Sequence, residues 1–176
     1  MSDDPPVSLK KVKPYLEQAK RFKEADKVVA YHCRLYAMQT AMEIRASIPK
    51  EDMGYVLKLM DDLEAEKVAL GAFQNPEITV ETFAQNLFEK ADDADRAGNS
   101  TLPVAKDFLA ASQILETTAQ FGPIPEDVGE KIKYAKWRFV EICKATKERR
   151  LPAPPPLRGE PSQLGQVPSW YHMPIT

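Results

Sequence analysis

Between Val7 and Arg150 the chain repeats one signal: apolar residues return every three or four positions, and short clusters of Pro, Gly, Asn and Asp interrupt them. That spacing puts the apolar side chains on one face of a helix, whereas a half-buried strand would alternate strictly, and no stretch does so. Six segments result. The first, Leu9–Lys23, carries Leu9, Val12, Leu16, Ala19 and Phe22 on one face. Pro14 falls in its opening turns, so the helix proper is expected to begin near it. The second, Asp26–Ala46, has Asp26 placed as an N-cap, and the third runs from Pro49 to Leu70 and stops at Gly71. After the break at Phe73-Gln74-Asn75-Pro76, the fourth segment is Glu77–Ala97, with Gly98 placed to end it. The fifth, Thr101–Gln120, tolerates Pro103 in its first turn and stops at Phe121-Gly122-Pro123; the sixth is Pro125–Arg149. The expected fold class is all-α.

The break near Asn75 divides the six segments into two sets of three, and a weak repeat supports the division. Leu35-Tyr36-Ala37-Met38 resembles Phe108-Leu109-Ala110-Ala111, and each follows an acidic connector. Two tandem three-helix units are expected, over residues 7–73 and 76–150. From Leu151 to Thr176 the chain is rich in proline and has no period, the mark of an extended, flexible, disordered tail outside the core. Within that tail Trp170 and Tyr171 form a short docking motif, or else the tail is simply a linker.

The second segment is apolar around well over half its circumference. Tyr31, Leu35, Met38 and Met42 form one line at helical spacing, and Ala30, Cys33, Ala37, Ala41 and Ile44 form a second line of mostly small side chains. This helix should therefore sit centrally, with helices packed on two sides. His32 and Cys33 are adjacent, so on a helix they point about 100° apart and are badly placed to share a metal. The other soft candidates, Cys143 and His172, lie far away in sequence, and CxxC, HxxxH and HExxH spacings are missing. No metal site and no cofactor are expected; the His–Cys pair reads as structural.

Composition sharpens this picture in a few places. The 176 residues include 43% hydrophobic and 28% charged residues, an ordinary globular mixture, with only 7 glycines against 15 prolines. A net charge of −2 gives no general reason to bind nucleic acid or an anionic surface. Two cysteines cannot build a disulfide framework, the N-terminus lacks a signal-like apolar core, and no run reaches the roughly 18 apolar residues that span a bilayer. A cytoplasmic protein is expected. Phosphate-cradling and nucleophile-elbow motifs are missing, so no catalytic residue is named and the chain is not expected to be an enzyme. The acidic pairs Asp61-Asp62 and Asp92-Asp93 are expected on solvated faces. Lys-Ala-Thr-Lys-Glu-Arg-Arg near the end of the sixth segment offsets the helix dipole, or, together with Lys-Lys-Val-Lys, marks a membrane-surface helical module.

The stretches DKVVAYHCRLYAMQTAMEI, KLMDDLEAEK, ADDADRAG and KIKYAKWRF resemble the N-terminal region of the Vta/LIP family, regulators of the AAA ATPase that disassembles ESCRT-III filaments. The resemblance covers about Leu9–Arg149. It implies two tandem MIT modules, each an antiparallel three-helix bundle, which agrees with the repeat above. It also implies a role in multivesicular-body sorting at endosomes, to which the protein would be recruited from the cytoplasm, touching the membrane only indirectly. The implied partners are C-terminal tail helices of ESCRT-III-type subunits. In the family a separate C-terminal domain contacts the ATPase and dimerises; the sequence here reaches only the proline-rich tail, so a monomer is expected for it.

A partner's amphipathic helix can dock in the groove between two helices of such a bundle, using anchors at i, i+3, i+4 and i+7. In the second unit the expected core line of segment five is Val104, Phe108, Ala111, Leu115 and Thr118, which leaves Leu109 beside it as the floor of a groove. Segment six should bury Val128, Ile132, Ala135, Phe139 and Ile142, leaving Lys133 and Lys136 as a cationic rim. In the first unit, Val56, Leu59, Leu63 and Leu70 should face inward, with Met60 and Glu64 on a neighbouring strip. The resemblance implies that this part of the third helix lines a peptide groove: Met60 would touch partner leucines, Asp61 or Glu64 would pair with a partner cation, and Tyr36 would form the opposite wall. The plain alternatives are that Leu109 is a singly exposed leucine and that Met60 completes the core.

Overall fold

The computed structural model describes residues 4–158; Trp170, Tyr171, His172 and the rest of the tail beyond Arg158 lie outside them. Among the described residues there are six α-helices and no strand. After a 3-10 turn at Val7–Leu9 come α1 (Lys13–Phe22), α2 (Lys27–Glu43), a second 3-10 turn at Arg45–Ser47, and α3 (Met53–Leu70). Then follow α4 (Pro76–Arg96), α5 (Leu102–Glu116), a 3-10 turn at Thr117–Gln120, and α6 (Glu126–Lys147). The protein is all-α.

Local chemistry sets most of the boundaries. Pro14 sits in the first turn of α1, where its missing N–H leaves no bond unmade. Asp26 Oδ1 accepts from the amides of Val28 and Val29 at 2.9 and 3.1 Å, satisfying two donors at the start of α2. Gly71 ends α3 with φ at 76°. Gly98, with φ at 85°, closes α4 in a Schellman motif: its amide donates to Asp95 O, and the Asn99 amide donates to Ala94 O. Several segments are shorter than their patterns suggest, α2 for example ending at Glu43 before a 3-10 turn. Pro49–Asp52 forms a turn before α3, with Asp52 N donating to Pro49 O. The last turn of segment five tightens into a 3-10 turn, where the hydroxyls of Thr117 and Thr118 donate back to Ile114 O and Leu115 O, each at 2.6 Å.

The chain forms two compact units. One contains the chain through Ala84 together with Gln113–Ile124; the other contains Gln85–Ser112 and the chain from Pro125. These compact units part inside α4 and α5. In the first unit α2 is central, with α1 and α3 both packed on it. Val29, Ala30, Cys33, Ala37 and Ala41 are essentially closed to solvent, and the small side chains let neighbouring helices approach. One core cluster joins Leu9, Val12, Ala37, Ala41, Ile48 and Val56; another joins Tyr31, Leu59 and Leu63.

In the second unit the rings of Phe88, Phe108 and Tyr134, one from each helix, meet pairwise with centroids 5.7 to 6.2 Å apart. Ala91, Ala105, Ala135 and Ile142 pack around them. The core side of α5 is broader than a single line: Val104 is only half-buried, while Ala105, Ala110, Ala111 and Ser112 are all closed to solvent. On α6, Phe139 is half-buried and Arg138, its neighbour, is completely buried.

Helix α6 ends in a second Schellman motif, with Arg149 in the glycine-favouring left-handed region at φ 54° and Arg150 N donating to Ala145 O at 3.0 Å. A side chain in that conformation costs about 1–2 kcal/mol. Arg149→Gly is therefore expected to raise the unfolding free energy by roughly 1 kcal/mol, read as a higher urea midpoint; a lower midpoint would mean that the arginine side chain itself holds the turn.

Candidate partner-binding site

His32 and Cys33 are both buried, and each has a structural use. The imidazole lies among the rings of Tyr31, Phe73 and Phe121, with centroids 4.9 to 5.3 Å away, and its Nδ1 is 2.8 Å from Val28 O. Burial lowers its pKa against the smaller opposing pull of that carbonyl. Burial pushes the Cys33 thiol up to about 12, so it stays protonated and unreactive at neutral pH. Among the described residues no group of three His, Cys, Asp or Glu side chains is arranged to hold a metal ion.

The first unit carries an open groove of about 920 Å³ between α1 and α3. Leu16 and Ala19 from α1, Ala30 from α2, and Leu59 and Tyr55 from α3 make its apolar lining. One edge is mainly cationic, from Lys13 and Lys20 on α1 and Lys23 just past its end, with Glu17 3.8 Å from Lys13; the opposite edge carries Asp62 and Glu66 on α3 beside Lys58. Arg34 of α2 crosses beneath, hydrogen-bonded to Glu66 and 3.9 Å from Asp62, while Lys58 donates to Asp62 at 2.8 Å. The hydrogen bond from Lys58, opposed by burial and aided by the Lys58 and Arg34 charges, holds the Asp62 carboxyl below the usual carboxylate range.

Three of the residues named from sequence lie on α3 outside this lining. Asp61 and Glu64 are exposed and Met60 is half-buried. Helical spacing sets Asp61 and Glu64 on one strip with Leu57 and Val68, which are 55% and 84% exposed. Tyr36 is half-buried and packs edge-to-face on Tyr15 at 4.9 Å. The Tyr15 hydroxyl donates to Glu116 Oε2 at 2.9 Å, and burial, followed by the Glu116 charge, raises both phenol pKa values. In the second unit Leu109 is half-buried on α5, Lys133 is exposed on α6 and Lys136 is half-buried.

The second unit also holds a charge network absent from the expectations above. Asp92, expected on a solvated face, is buried, and so are Asp95, Arg138 and Glu141; Asp93 is exposed, as expected. Arg138 grips Asp95 with two bonds, Nε–Oδ2 at 2.6 Å and Nη2–Oδ1 at 2.9 Å, and neither side chain is accessible to solvent. Asp92 accepts from Arg96 Nε at 2.7 Å and from the Tyr134 hydroxyl at 3.2 Å. Burial, then the Asp92 charge, pushes that phenol well above its ordinary value. Glu141 accepts from Arg150 Nη1 at 2.7 Å. Burial alone would raise its pKa, but Arg150 and the Ala153 amide outweigh burial and hold it below the ordinary glutamate value. The signal was present in sequence: Arg138 lies three residues after Ala135 and four before Ile142, inside the core line of α6.

An apolar floor between a cationic and an acidic edge is the geometry that receives an amphipathic helix. The Vta1-like family matches residues 11–148, and the chain belongs to that family. It is 42% identical over 142 residues to the Arabidopsis thaliana protein named homolog of mammalian LYST-interacting protein 5, covering 80% of this chain and 34% of that protein. Against the Homo sapiens and Dictyostelium discoideum proteins named vacuolar protein sorting-associated protein VTA1 homolog, identity is 36% over 160 residues and 35% over 162. Both alignments cover 86% of this chain, and 51% and 28% of those proteins respectively. The chain thus spans at most about half the length of these relatives.

Two measurements test the buried groups. Arg138→Met leaves the solvent-closed Asp95 carboxylate with the Ser100 hydroxyl as a donor but without its counter-charge and is expected to cost about 3–5 kcal/mol of unfolding free energy, whereas Arg138→Met with Asp95→Leu should recover most of it; additive losses would mean the pair is not coupled. For His32, the folded pKa lies below the unfolded one, so on acidification the unfolded state takes up the proton first and stability falls as pH drops through about 6.5. His32→Phe should remove that part of the loss between pH 7.5 and 5.5, read as the difference in urea midpoints; an unchanged difference would exclude His32 as its source.

Proposed function

We propose that this chain is a non-enzymatic adaptor of the ESCRT multivesicular-body pathway. In this reading two MIT modules, residues 7–73 and 76–150, capture C-terminal helices of ESCRT-III-type subunits at the cytoplasmic face of endosomes. They thereby link those subunits to the AAA ATPase that disassembles them. Membership of the Vta1-like family and relatives named for vacuolar protein sorting support the pathway. The observation that carries the mode of binding is the groove between α1 and α3, with Leu16 and Leu59 at its base and opposite charges along its edges.

A helix seated there would bury its leucines on that floor, set acidic residues against Lys13, Lys20 and Lys23, and set basic ones against Asp62 and Glu66. The outer strip of α3, where Met60, Asp61 and Glu64 stand beside exposed Leu57 and Val68, offers a second apolar line edged by acid, and Tyr36 flanks the same unit from α2. In the second module Leu109 supplies the apolar contact, and Lys133 and Lys136 select an acidic helix. Each rim pair adds about 1 kcal/mol and mainly discriminates between partners.

The test is titration of fluorescent ESCRT-III tail peptides against the whole chain. Lys13→Glu with Lys20→Glu should weaken a tail bound by the first module about tenfold or more, and Lys133→Asp should weaken a tail bound by the second several-fold, with melting temperatures near wild type. Unchanged affinities in folded variants would remove these surfaces from the binding site.

A further inference from the structure

Residues Leu151–Arg158 form no helix or strand, as their prolines require, yet they are fastened to α4 and α6 at successive points. Ala153 is held through its main chain from both sides: its N–H donates to Glu141 Oε1 at 2.8 Å, and its carbonyl accepts from Arg138 Nη1 at 2.7 Å. Three residues later the Pro156 carbonyl accepts from Arg96 Nη1 at 2.6 Å. Arg158 then reaches Asp92 at 3.2 Å and also bonds Asp93. The side chains of Leu151 and Leu157 take no part, being 89% and 72% exposed.

The receiving groups are built by the helices, not by the strap. Asp95 orients Arg138 and Asp92 orients Arg96, and each guanidinium turns one remaining N–H outward to a carbonyl. The three-residue interval between the two carbonyls is one turn of a polyproline helix, the form that a run such as Pro154-Pro155-Pro156 favours. What the face recognises is therefore backbone, one free N–H, its own carbonyl and a second carbonyl three residues on, in a segment stiffened by proline and ended by one basic side chain at Asp92 and Asp93.

We propose that Leu151–Arg158 is a displaceable intramolecular ligand, which keeps the α4–α6 face occupied until a proline-rich, non-helical segment of another protein takes its place. The left-handed turn at Arg149 launches the strap directly from the end of α6, so its effective concentration at the face is on the order of millimolar. A competing segment must overcome that occupancy, which makes the strap autoinhibitory. This goes beyond helix capture in the α1–α3 groove and uses a different surface and a different ligand backbone.

The test needs only this chain's own sequence as probe. Ala153→Pro removes the N–H given to Glu141 and Arg158→Ala removes the distal anchor; both are made in the full chain. A fluorescent peptide of the wild-type Arg150–Arg158 sequence should bind the double variant at least tenfold more tightly than wild type, and adding Glu141→Ala should abolish that gain while the helical circular-dichroism spectrum is kept. Equal binding to wild type and variant, or binding indifferent to Glu141→Ala, would overturn the proposal. In unmodified protein, hydrogen exchange gives an independent reading: the Ala153 amide should exchange at least tenfold faster than that of Ile142 in α6. Exchange at the same rate would mean that the strap opens only when the unit unfolds, and the proposal fails. Because no ESCRT-III peptide is involved, these results stand apart from the fate of the proposed function.

Discussion

With neither partner in contact with water, the Arg138–Asp95 pair is the constraint around which the second unit is arranged. A buried guanidinium is tolerable only if its N–H groups find acceptors, and a buried carboxylate only if its lone pairs find donors. Asp95 takes two bonds from Arg138, and Arg138 extends a third to the Ala153 carbonyl. Asp92 one turn earlier on α4, and Tyr134 one turn earlier on α6, form a parallel rung. The two rungs fix the register of α4 against α6 more sharply than the surrounding alanines, which would pack acceptably at several offsets.

The first unit solves a different problem by a different route. Its central helix has almost no charge on its inner faces, and selectivity comes from shape: alanines and Cys33 on one line, Tyr31 on another. Its buried imidazole, His32, is held neutral inside a cage of rings, as Cys33 is held protonated beside it. The buried polar groups there are uncharged, Gln18, Thr40 and Thr117, and the ion pairs sit at the edge. Arg34 between Asp62 and Glu66 lies under an open groove and remains partly solvated, so it tunes the rim and adds little to stability.

Features decided by neighbours in sequence were legible without coordinates. Asp26 before a helix, Pro14 inside one, and Gly71 and Gly98 after one each act within a single turn, and the apolar lines of α2 follow from helical geometry alone. The buried charges were not legible in the same way. Asp95 and Arg138 are 43 positions apart, and a lone carboxylate on an amphipathic helix has the same local pattern whether water or an arginine stands opposite. The partition into compact units was hidden for a related reason. Phe22 meets Phe83 edge-to-face at 5.1 Å, so the start of α4, which begins at Pro76, packs within the first unit. Of the residues proposed to face a partner, exposure at Lys133, Asp61 and Glu64 followed from periodicity, whereas the open groove depends on how α1 and α3 are placed against each other, which no single helix encodes.

The strap's manner of attachment carries an evolutionary consequence. A segment gripped mainly by its peptide groups places few demands on its side chains, so Leu151, Ala153 and Leu157 are free to drift provided that the prolines, one amide and the basic residue at 158 remain. Descendants of this chain can diverge there beyond recognition and still close over the same two helices, and pairwise alignment that ends with α6 would leave such a segment uncounted.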